Sequence, residues 1–458
     1  MHFFQYAGAF FVAVFVLILI HETGHFLVAK LFKVKVERIS IGFGKPFYTW
    51  KTKKGNTEYV LAPILLGGYV KLLDTRETNK SSHQYSAFAF DHKPIIQRLA
   101  IIAAGPLANI IFAFFAFWLM FVIGFKSPKP IIGKIVLESM ASVAGMHASE
   151  EIIRVDERDT DSWSEVIIAM LARVGDEGSM NIITQLIPKF KTKIYEFDLK
   201  RWEINSYEPD PLLDFGLIRY RPLVLPKVYS IAKNSPAEKS GVQSGDRIIA
   251  IEGNKVHDWE DFVRQIKLYP KKKIKLLIER DKKIIDLTAT TGWKFGSGWK
   301  KIGFLGVGPD VKKITWPQDK VREYKYAARP AFTAATHQMK LFIELNGFIL
   351  DKLLTGKMSF HVLGGPIATF TASGQALEQG FVTFLGFLAI ISLTIALINL
   401  LPLPGLDGGQ FVLILVEGIR RRPISMQIQM LIFRLGMAIF VLVILQATAN
   451  DLVRIFGR

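Results

Sequence analysis

The sequence predicts a polytopic α-helical membrane protein with four transmembrane helices and a duplicated region outside the bilayer. Half of its 458 residues are hydrophobic, and the mean hydropathy of +0.27 is too high for one soluble domain. Charged residues nevertheless make up 21% of the chain, which is too many for a protein confined to the membrane. Four apolar segments and an internal repeat divide the chain between the two environments.

Each of the four apolar segments has the length that a helix needs to cross a bilayer, about 20 residues. They are Phe3–Ala29, Leu99–Phe125, Phe381–Leu401 and Met430–Ala449. Arg434 lies near one end of the fourth segment, where its guanidinium can reach the headgroups. The N-terminus lacks the basic lead and cleavage site of a removable signal peptide, so we expect the first segment to stay in the mature protein.

Basic residues predict the orientation. Lys and Arg are frequent in the connection Lys30–Arg98 and form the run Arg420–Arg422 between the third and fourth segments, which favours the cytoplasmic side for both. Residues 126–380 and both termini are then expected on the periplasmic side of a bacterial inner membrane. Attraction to the lipid bilayer explains the formal charge of +18 better than nucleic acid, for which the usual signatures are absent. Cysteine is absent, which excludes disulfides and Cys-ligated metals.

The most informative motif lies inside the first apolar segment. His21 and His25 stand four residues apart with Glu22 beside the first, and Glu22 is the one charged residue of Phe3–Ala29. Residues four apart share one helix face, so both imidazoles can bind one Zn²⁺ while Glu22 reaches a metal-bound water. Ionisable groups at membrane depth are functional-site hypotheses by default, and the alternative is a polar triplet paired within a helix bundle.

A zinc site with two histidines needs a third ligand, and the best candidate is Asp407. It lies in Asn399–Gly409, where prolines and glycines break the helix at membrane depth. Such a break is tolerated only where the backbone is buried in protein or lines a cavity. The alternative is an Asp-Gly turn that leaves the membrane.

The loop between the second and third segments contains a repeat with a constant offset of 96 residues. The matching residues are Ser139, Ala141, Gly145, Ile152, Ile153 and Trp163 in the first copy and Ser235, Ala237, Gly241, Ile248, Ile249 and Trp259 in the second. The second copy resembles the PDZ fold of bacterial membrane-associated proteases, which implies binding of an extended peptide along a sheet edge. The first copy departs from that pattern at Ser149–Glu151, where the second has Gly245-Asp246-Arg247, and at Glu157. The alternative is that both copies are spacers.

Together, the intramembrane HExxH motif, the Asn-x-x-Pro-x-Pro-x-Leu-Asp-Gly element that ends at Asp407-Gly408 and the PDZ-like repeats between them resemble the site-2 protease family over nearly the whole chain. The resemblance implies a zinc-dependent endopeptidase that cleaves transmembrane segments of single-span membrane proteins. Its substrates would be an anti-sigma factor already trimmed by a first protease and remnant signal peptides. Gly405 and Gln410 depart from the family element without removing a ligand.

The same resemblance assigns substrate-binding residues. A membrane-associated β-hairpin region would pair with the substrate as an added strand, and its candidates are Gly42, Phe43, Gly44, Leu61, Ile64, Gly67 and Gly68. Asn399 is a candidate donor to the substrate backbone or the developing oxyanion, and the alternative is a contact between helices. An ordinary cytoplasmic hairpin is the alternative for the β region.

The expected domains are an N-terminal membrane core (1–125), a first PDZ-like domain (126–221), a second PDZ domain (222–315), amphipathic linker helices (316–375) and a C-terminal membrane core (376–458). The linker is expected to form one or two helices within Asp319–Phe360 at the membrane surface. Two rival interpretations are a soluble-type zincin anchored by its first helix and a non-catalytic scaffold that collects partners through PDZ domains.

Overall fold

The computed structural model describes residues 2–51, 57–76, 87–186, 191–202, 210–295, 300–309 and 316–456. The chain divides into two compact units, one formed by residues 1–126 and 323–448 and the other by residues 127–322 and 449–458. The helices are α1 (His2–Leu31), α2 (Ile95–Ile123), α3 (Met140–Val143), α4 (Trp163–Arg173), α5 (Pro211–Phe215), α6 (Pro236–Lys239), α7 (Trp259–Lys267), α8 (Ala328–Leu354), α9 (Pro366–Glu378), α10 (Phe381–Leu400), α11 (Asp407–Arg420) and α12 (Met426–Phe456).

The strands are short and numerous. They are β1 (Val36–Phe43), β2 (Tyr48–Lys51), β3 (Glu58–Leu61), β4 (Ile64–Leu72), β5 (Phe125–Pro128), β6 (Ile132–Ile135), β7 (Glu150–Val155), β8 (Arg158–Asp159), β9 (Ser179–Leu186), β10 (Lys191–Asp198), β11 (Leu217–Arg219), β12 (Val228–Ile231), β13 (Arg247–Ile251), β14 (Asn254–Lys255), β15 (Lys273–Arg280), β16 (Lys283–Thr290), β17 (Gly292–Phe295), β18 (Lys301–Phe304), β19 (Val307–Pro309) and β20 (Val321–Tyr324).

Within the described residues, four helices are long and apolar enough to cross a membrane. They cover Phe3–Leu31, Ile95–Ile123, Phe381–Leu400 and Gln427–Arg454, and each overlaps one of the four predicted segments. The second begins before the predicted Leu99, because Pro94 stands at its N-cap and leaves residues 95–98 free to be helical. The third ends one residue before the predicted Leu401, where Pro402 cannot continue the helix.

The predicted hairpin region is part of a four-stranded sheet in the first unit, in which the consecutive strands β2 and β3 pair antiparallel. The strand order is β2-β3-β1-β4, so β1 lies between β3 and β4, parallel to the first and antiparallel to the second. The chain from β3 to β4 therefore crosses the end of β1 instead of making a hairpin turn. Gly42 permits this crossing: its φ is 91°, and a β-carbon there would lie 2.5 Å from the carbonyl oxygen of Ala62. Strand β4 is left at the edge of the sheet.

The second unit confirms that the sequence repeat is also a structural repeat. The first copy has a sheet of order β10-β9-β7-β8, and the second has the equivalent order, β16-β15-β13-β14. A helix follows the short strand in each copy, α4 in the first and α7 in the second. Strands β6 and β12 also correspond, and each pairs with a later strand, β11 or β19. The two copies thus share one arrangement despite few identical residues.

The first copy keeps a buried carboxylate where its sequence departs from the second. Glu150 stands at the position of Asp246, and both side chains are almost completely buried. Asp246 accepts hydrogen bonds from Arg280, whereas Glu150 accepts them from the Tyr195 hydroxyl at 2.9 Å and from the Thr184 hydroxyl at 2.9 Å. The departure therefore changes the partners of the carboxylate and preserves its place in the fold.

The region between the second unit and the third apolar helix begins differently from the predicted linker. A 3₁₀ turn at Gln318–Lys320 and strand β20 precede α8, which starts at Ala328 and not near Asp319. Pro330 explains the start, because proline is compatible with the first helical turn and disrupts a helix interior. A second, shorter helix, α9, follows before α10.

Candidate metal centre

The first apolar helix places two imidazoles on one face. His21 and His25 are one turn apart on α1, and their Nε2 atoms lie 3.2 Å from each other. Asp407, the first residue of α11, brings Oδ2 to 3.0 Å from His21 Nε2 and 3.4 Å from His25 Nε2. The structure thus brings together the three predicted ligands, although Asp407 follows the histidines by most of the length of the chain.

The three atoms fit a zinc ion. Zinc binds imidazole nitrogen and carboxylate oxygen at about 2.0–2.2 Å, so tetrahedral ligands stand roughly 3.4 Å from one another. The observed separations lie close to that spacing. Among the described residues, His21, His25 and Asp407 therefore form a group that could hold a metal ion. Two imidazoles and one carboxylate leave the fourth position for water or substrate, as catalytic zinc sites require.

A contact from α2 orients His25. Its Nδ1 lies 2.8 Å from the backbone carbonyl of Ile101, which directs Nε2 toward Asp407. Gly105, one turn further along α2, makes room for the ring, since a β-carbon there would stand 2.2 Å from His25 Nε2. Gly24 allows the backbones of the two helices to approach, because a β-carbon there would stand 2.3 Å from the Ala104 carbonyl oxygen.

Glycines also shape the turn that presents Asp407. A β-carbon at Gly408 would stand 2.2 Å from the Leu401 carbonyl oxygen, and one at Gly409 would stand 2.2 Å from that of Leu403. The chain can therefore fold back on itself immediately before α11. Gly436 of α12 lies against the same turn, because a β-carbon built there would stand 1.9 Å from the Pro404 carbonyl oxygen. The proline-glycine break predicted from sequence is thus a tightly packed turn.

Glu22 is buried beside the metal-binding group, with 4% of its surface exposed. The edge strand β4 passes next to it, since a β-carbon at Gly68 would lie 2.9 Å from Glu22 Cγ. The structure therefore places one predicted substrate-binding residue, Gly68, beside the Glu22 side chain, at its Cγ methylene. A larger side chain at position 68 would displace the glutamate or the strand.

Three further predicted substrate-binding residues, Phe43, Ile64 and Gly67, lie together on the same sheet. Phe43 is paired with Ile64 across β1 and β4, and its ring stacks on Tyr69 at 6.2 Å and packs against Gly67. The remaining four predicted residues occupy different places. Gly42 and Gly44 flank the end of β1, Leu61 ends β3, and Asn399 is half-buried in the last turn of α10.

A cavity of about 550 Å³ opens next to this strand within the first unit. Its lining includes Tyr69–Leu72 of β4, Arg98 of α2, Phe433 of α12 and one face of α11, formed by Gln410, Leu413, Ile414 and Glu417. Gly405 and Gly409, which flank Asp407 in the chain, also line it. The cavity therefore connects the edge of the sheet with the turn that carries the third predicted ligand.

Comparison with known proteins places the chain in a family. Residues 9–443 match the model of peptidase family M50. The chain belongs to this family. It is 38% identical to the regulator of sigma-E protease RseP of Escherichia coli strain K12 over 448 residues, which cover 98% of both chains. It is 34% identical to a putative zinc metalloprotease of Vibrio cholerae, also over 98% of both, and 34% identical to the regulator of sigma E protease of Haemophilus influenzae, over 99% of this chain and 100% of that one.

Membership in family M50 makes this protein a zinc-dependent intramembrane metalloprotease. A solved PDZ domain of an SdrC-like protein from Listeria monocytogenes aligns with 21% of this chain and 94% of its own at 14% identity, with a TM-score of 0.16.

Sequence reasoning missed the residues that surround the ligands. Ile101 and Gly105 act through the backbone or through the absence of a side chain, so their own chemistry gives no signal. The small residues Ala103, Ala104, Gly105 and Ala108 in an apolar segment are the available clue, because close helix packing uses small residues.

Proposed function

We propose that His21, His25 and Asp407 hold the catalytic zinc and that Glu22 is the general base. The observation that carries this proposal is the triangle of donor atoms, with sides of 3.0, 3.2 and 3.4 Å, contributed by two segments at opposite ends of the chain. Chance pairing of buried polar groups does not require two imidazoles and a carboxylate to converge at ligand spacing. A zinc site with an adjacent carboxylate is the arrangement of a metallopeptidase.

The residues divide the chemistry between them. Zinc, when bound, supplies Lewis-acid activation of water and polarises the scissile carbonyl. The Glu22 carboxylate accepts a proton from the attacking water and returns it to the leaving nitrogen of the cleaved peptide. Asn399, at the end of α10, would donate a hydrogen bond to the substrate backbone or the oxyanion. Burial of Glu22 excludes bulk water from the proton transfer.

We propose that the substrates are transmembrane segments of single-span proteins. A helical peptide bond is shielded by its own hydrogen bonds, so it has to be extended before attack. Among the described strands, β4 has no partner on its outer edge, and its Gly68 lies beside Glu22. A substrate strand added at this edge would bring its backbone to the catalytic carboxylate. Gly42, Phe43, Gly44, Leu61, Ile64 and Gly67 would support this strand.

The physiological role is inferred from the names of the relatives. We propose an inner-membrane protease that cuts an anti-sigma factor after a first cleavage, together with remnant signal peptides. The names of the relatives from Escherichia coli and Haemophilus influenzae support a role in sigma-E regulation. The basic residues of the short connections favour the cytoplasmic side for the active site and the periplasmic side for two PDZ domains at 126–221 and 222–315. The sheet edges of these domains would bind extended peptides.

The first experiment compares wild-type protein, Glu22→Gln and Glu344→Gln, purified in detergent, for cleavage of a single-span reporter and for zinc content. Glu344 serves as the matched control because it pairs with Lys340 on α8, away from the ligand atoms. We expect wild type and Glu344→Gln to cut and all three proteins to hold about one zinc.

Two results would contradict the proposal. Cleavage by Glu22→Gln at the wild-type rate would remove Glu22 from the base role. Failure of wild-type protein to cut a panel of trimmed single-span substrates while holding zinc would favour the scaffold interpretation.

A further inference from the structure

Helices α1 and α2 pack in an antiparallel register that can be read from their closest contacts. His25 lies opposite Gly105, and Gly24 lies opposite Ala104 and Ala108. Further along, Phe112 of α2 packs on a cluster that contains residues 9 and 13 of α1. Lower numbers in α1 therefore face higher numbers in α2.

This register places Asn109 opposite His21. His21 is one turn before His25 on α1, and Asn109 is one turn after Gly105 on α2. Because the helices are antiparallel, both steps lead in the same direction along the interface. Asn109 has 0% of its surface exposed. Its backbone carbonyl accepts a hydrogen bond from the Ser392 hydroxyl at 2.9 Å, which places this part of α2 against α10 as well as α1.

Both facing side chains have unused polar atoms. Within the described part of the chain, His21 Nδ1 and both Oδ1 and Nδ2 of Asn109 are buried without a hydrogen-bond partner. A buried amide without partners costs free energy, so such a group is rarely retained without a role. His25, by contrast, has its Nδ1 satisfied by Ile101. Among the described residues, the Nδ1 atom of His25 therefore has a partner that orients its ring, whereas the Nδ1 atom of His21 has none.

We propose that Asn109 is the positioning residue of His21: when zinc is bound, its Oδ1 would take up a hydrogen bond from His21 Nδ1–H, and this bond would hold Nε2 toward the zinc. The inference rests on the proposed role of His21 as a ligand. A hydrogen bond of this kind holds the required tautomer and ring orientation, as the Ile101 carbonyl does for His25. The two histidines would then be oriented by different groups of one helix, a backbone carbonyl for His25 and a side-chain amide for His21.

The test measures zinc affinity by competition with a chelator, using full-length protein in detergent. The variants are Asn109→Leu, Asn109→Asp, His21→Ala and, as a control, Ser392→Ala, which removes the bond to the Asn109 backbone but leaves its amide. We expect Asn109→Leu to bind zinc about 10- to 100-fold more weakly than wild type, which is the usual effect of losing an outer-shell partner. Asn109→Asp is expected to bind at least as tightly as wild type, because carboxylate is the stronger acceptor.

A packing role predicts the opposite order, since leucine keeps the branched shape of asparagine without a polar atom, whereas aspartate buries a charge. Wild-type affinity in Asn109→Leu, or a tenfold loss in Asn109→Asp, would overturn the inference. If Asn109→Leu does not fold, Asn109→Asp alone decides between the two outcomes. His21→Ala separates a failure of the ligand assignment from a failure of the inference about Asn109. If His21→Ala keeps wild-type zinc affinity, His21 is not a ligand. If His21→Ala loses zinc while Asn109→Leu keeps wild-type affinity, only the inference about Asn109 is contradicted.

Discussion

Arg98 and Glu417 form a buried ion pair in which Nη2 of the arginine lies 2.7 Å from Oε2 of the glutamate, with 9% and 6% of their side chains exposed. Glu417 also accepts a hydrogen bond from the backbone N–H of Ile424 at 3.2 Å and lies 3.5 Å from Arg76. Arg98 belongs to α2, which carries Gly105, and Glu417 belongs to α11, which begins at Asp407. The pair therefore connects the two helices that flank the metal centre.

Removing one partner of this pair should destabilise the protein strongly. Glu417→Ala leaves the buried Arg98 guanidinium without its closest carboxylate, and we expect a loss of about 3–5 kcal/mol in the free energy of unfolding. The double variant Arg98→Met/Glu417→Leu should recover most of that loss, because it removes both charges and keeps the volume. Unfolding in detergent measures the difference. A double variant no more stable than Glu417→Ala would show that packing around the pair, and not its charge, dominates.

Gly105→Ala should damage the metal site without changing any ligand. The added carbon would stand 2.2 Å from His25 Nε2, so the ring has to move. A displacement of this size near the reacting groups costs about 100-fold in rate, and we expect reporter cleavage to fall by at least that factor together with zinc content. Gly8→Ala on α1 is the control, because a β-carbon there meets nothing within 4 Å. Equal activity of the two variants would exclude close contact between α2 and His25.

Zinc removal should abolish activity and lower thermal stability. Dialysis against a chelator is expected to stop reporter cleavage, and added zinc should restore it. A ligand that binds only the folded state raises the unfolding temperature with its concentration. We therefore expect a zinc-dependent shift for wild type and for Asp351→Ala, at an exposed position of α8, but not for Asp407→Ala. A shift of the same size in Asp407→Ala would remove Asp407 from the ligand set.

The second repeat should lose stability in acid through Asp261. The backbone N–H of His257 donates to its carboxylate at 3.0 Å, and this bond, with Arg264 and Gln265, lowers the pKa of Asp261 to about 2. A lowered pKa contributes stability that is present above the unfolded value of about 3.9 and is lost as the pH falls toward 2. Hydrogen exchange of α7, corrected for intrinsic rates, should show this loss in wild type and in Glu260→Gln. In Asp261→Asn, α7 should be less protected from hydrogen exchange at neutral pH, and its protection should hardly change as the pH falls from about 3.9 to 2.

Sequence reasoning succeeded where a local pattern carried the information. The spacing of His21, Glu22 and His25 needs only one helix, the apolar segments need only length and composition, and the repeat needs only an offset. It failed where distant backbone segments meet. The position of β1 between β3 and β4 depends on the approach of Ala62 to Gly42, and no periodicity reports such a contact. Asn109 could not be related to His21 until the register of α1 and α2 was visible.

The distance along the chain between the histidines and Asp407 has a consequence for biosynthesis. A nascent chain that has emerged only through its first helices contains both imidazoles and Glu22 but lacks the carboxylate that completes the proposed ligand set. During translation and insertion, such an intermediate would bind zinc weakly and would have no complete catalytic site. With the proposed ligand set, the membrane proteins inserted beside it would be protected from premature cutting until α11 has entered its place. Proteolytic competence would thus become a check that synthesis of the chain has continued at least through α11.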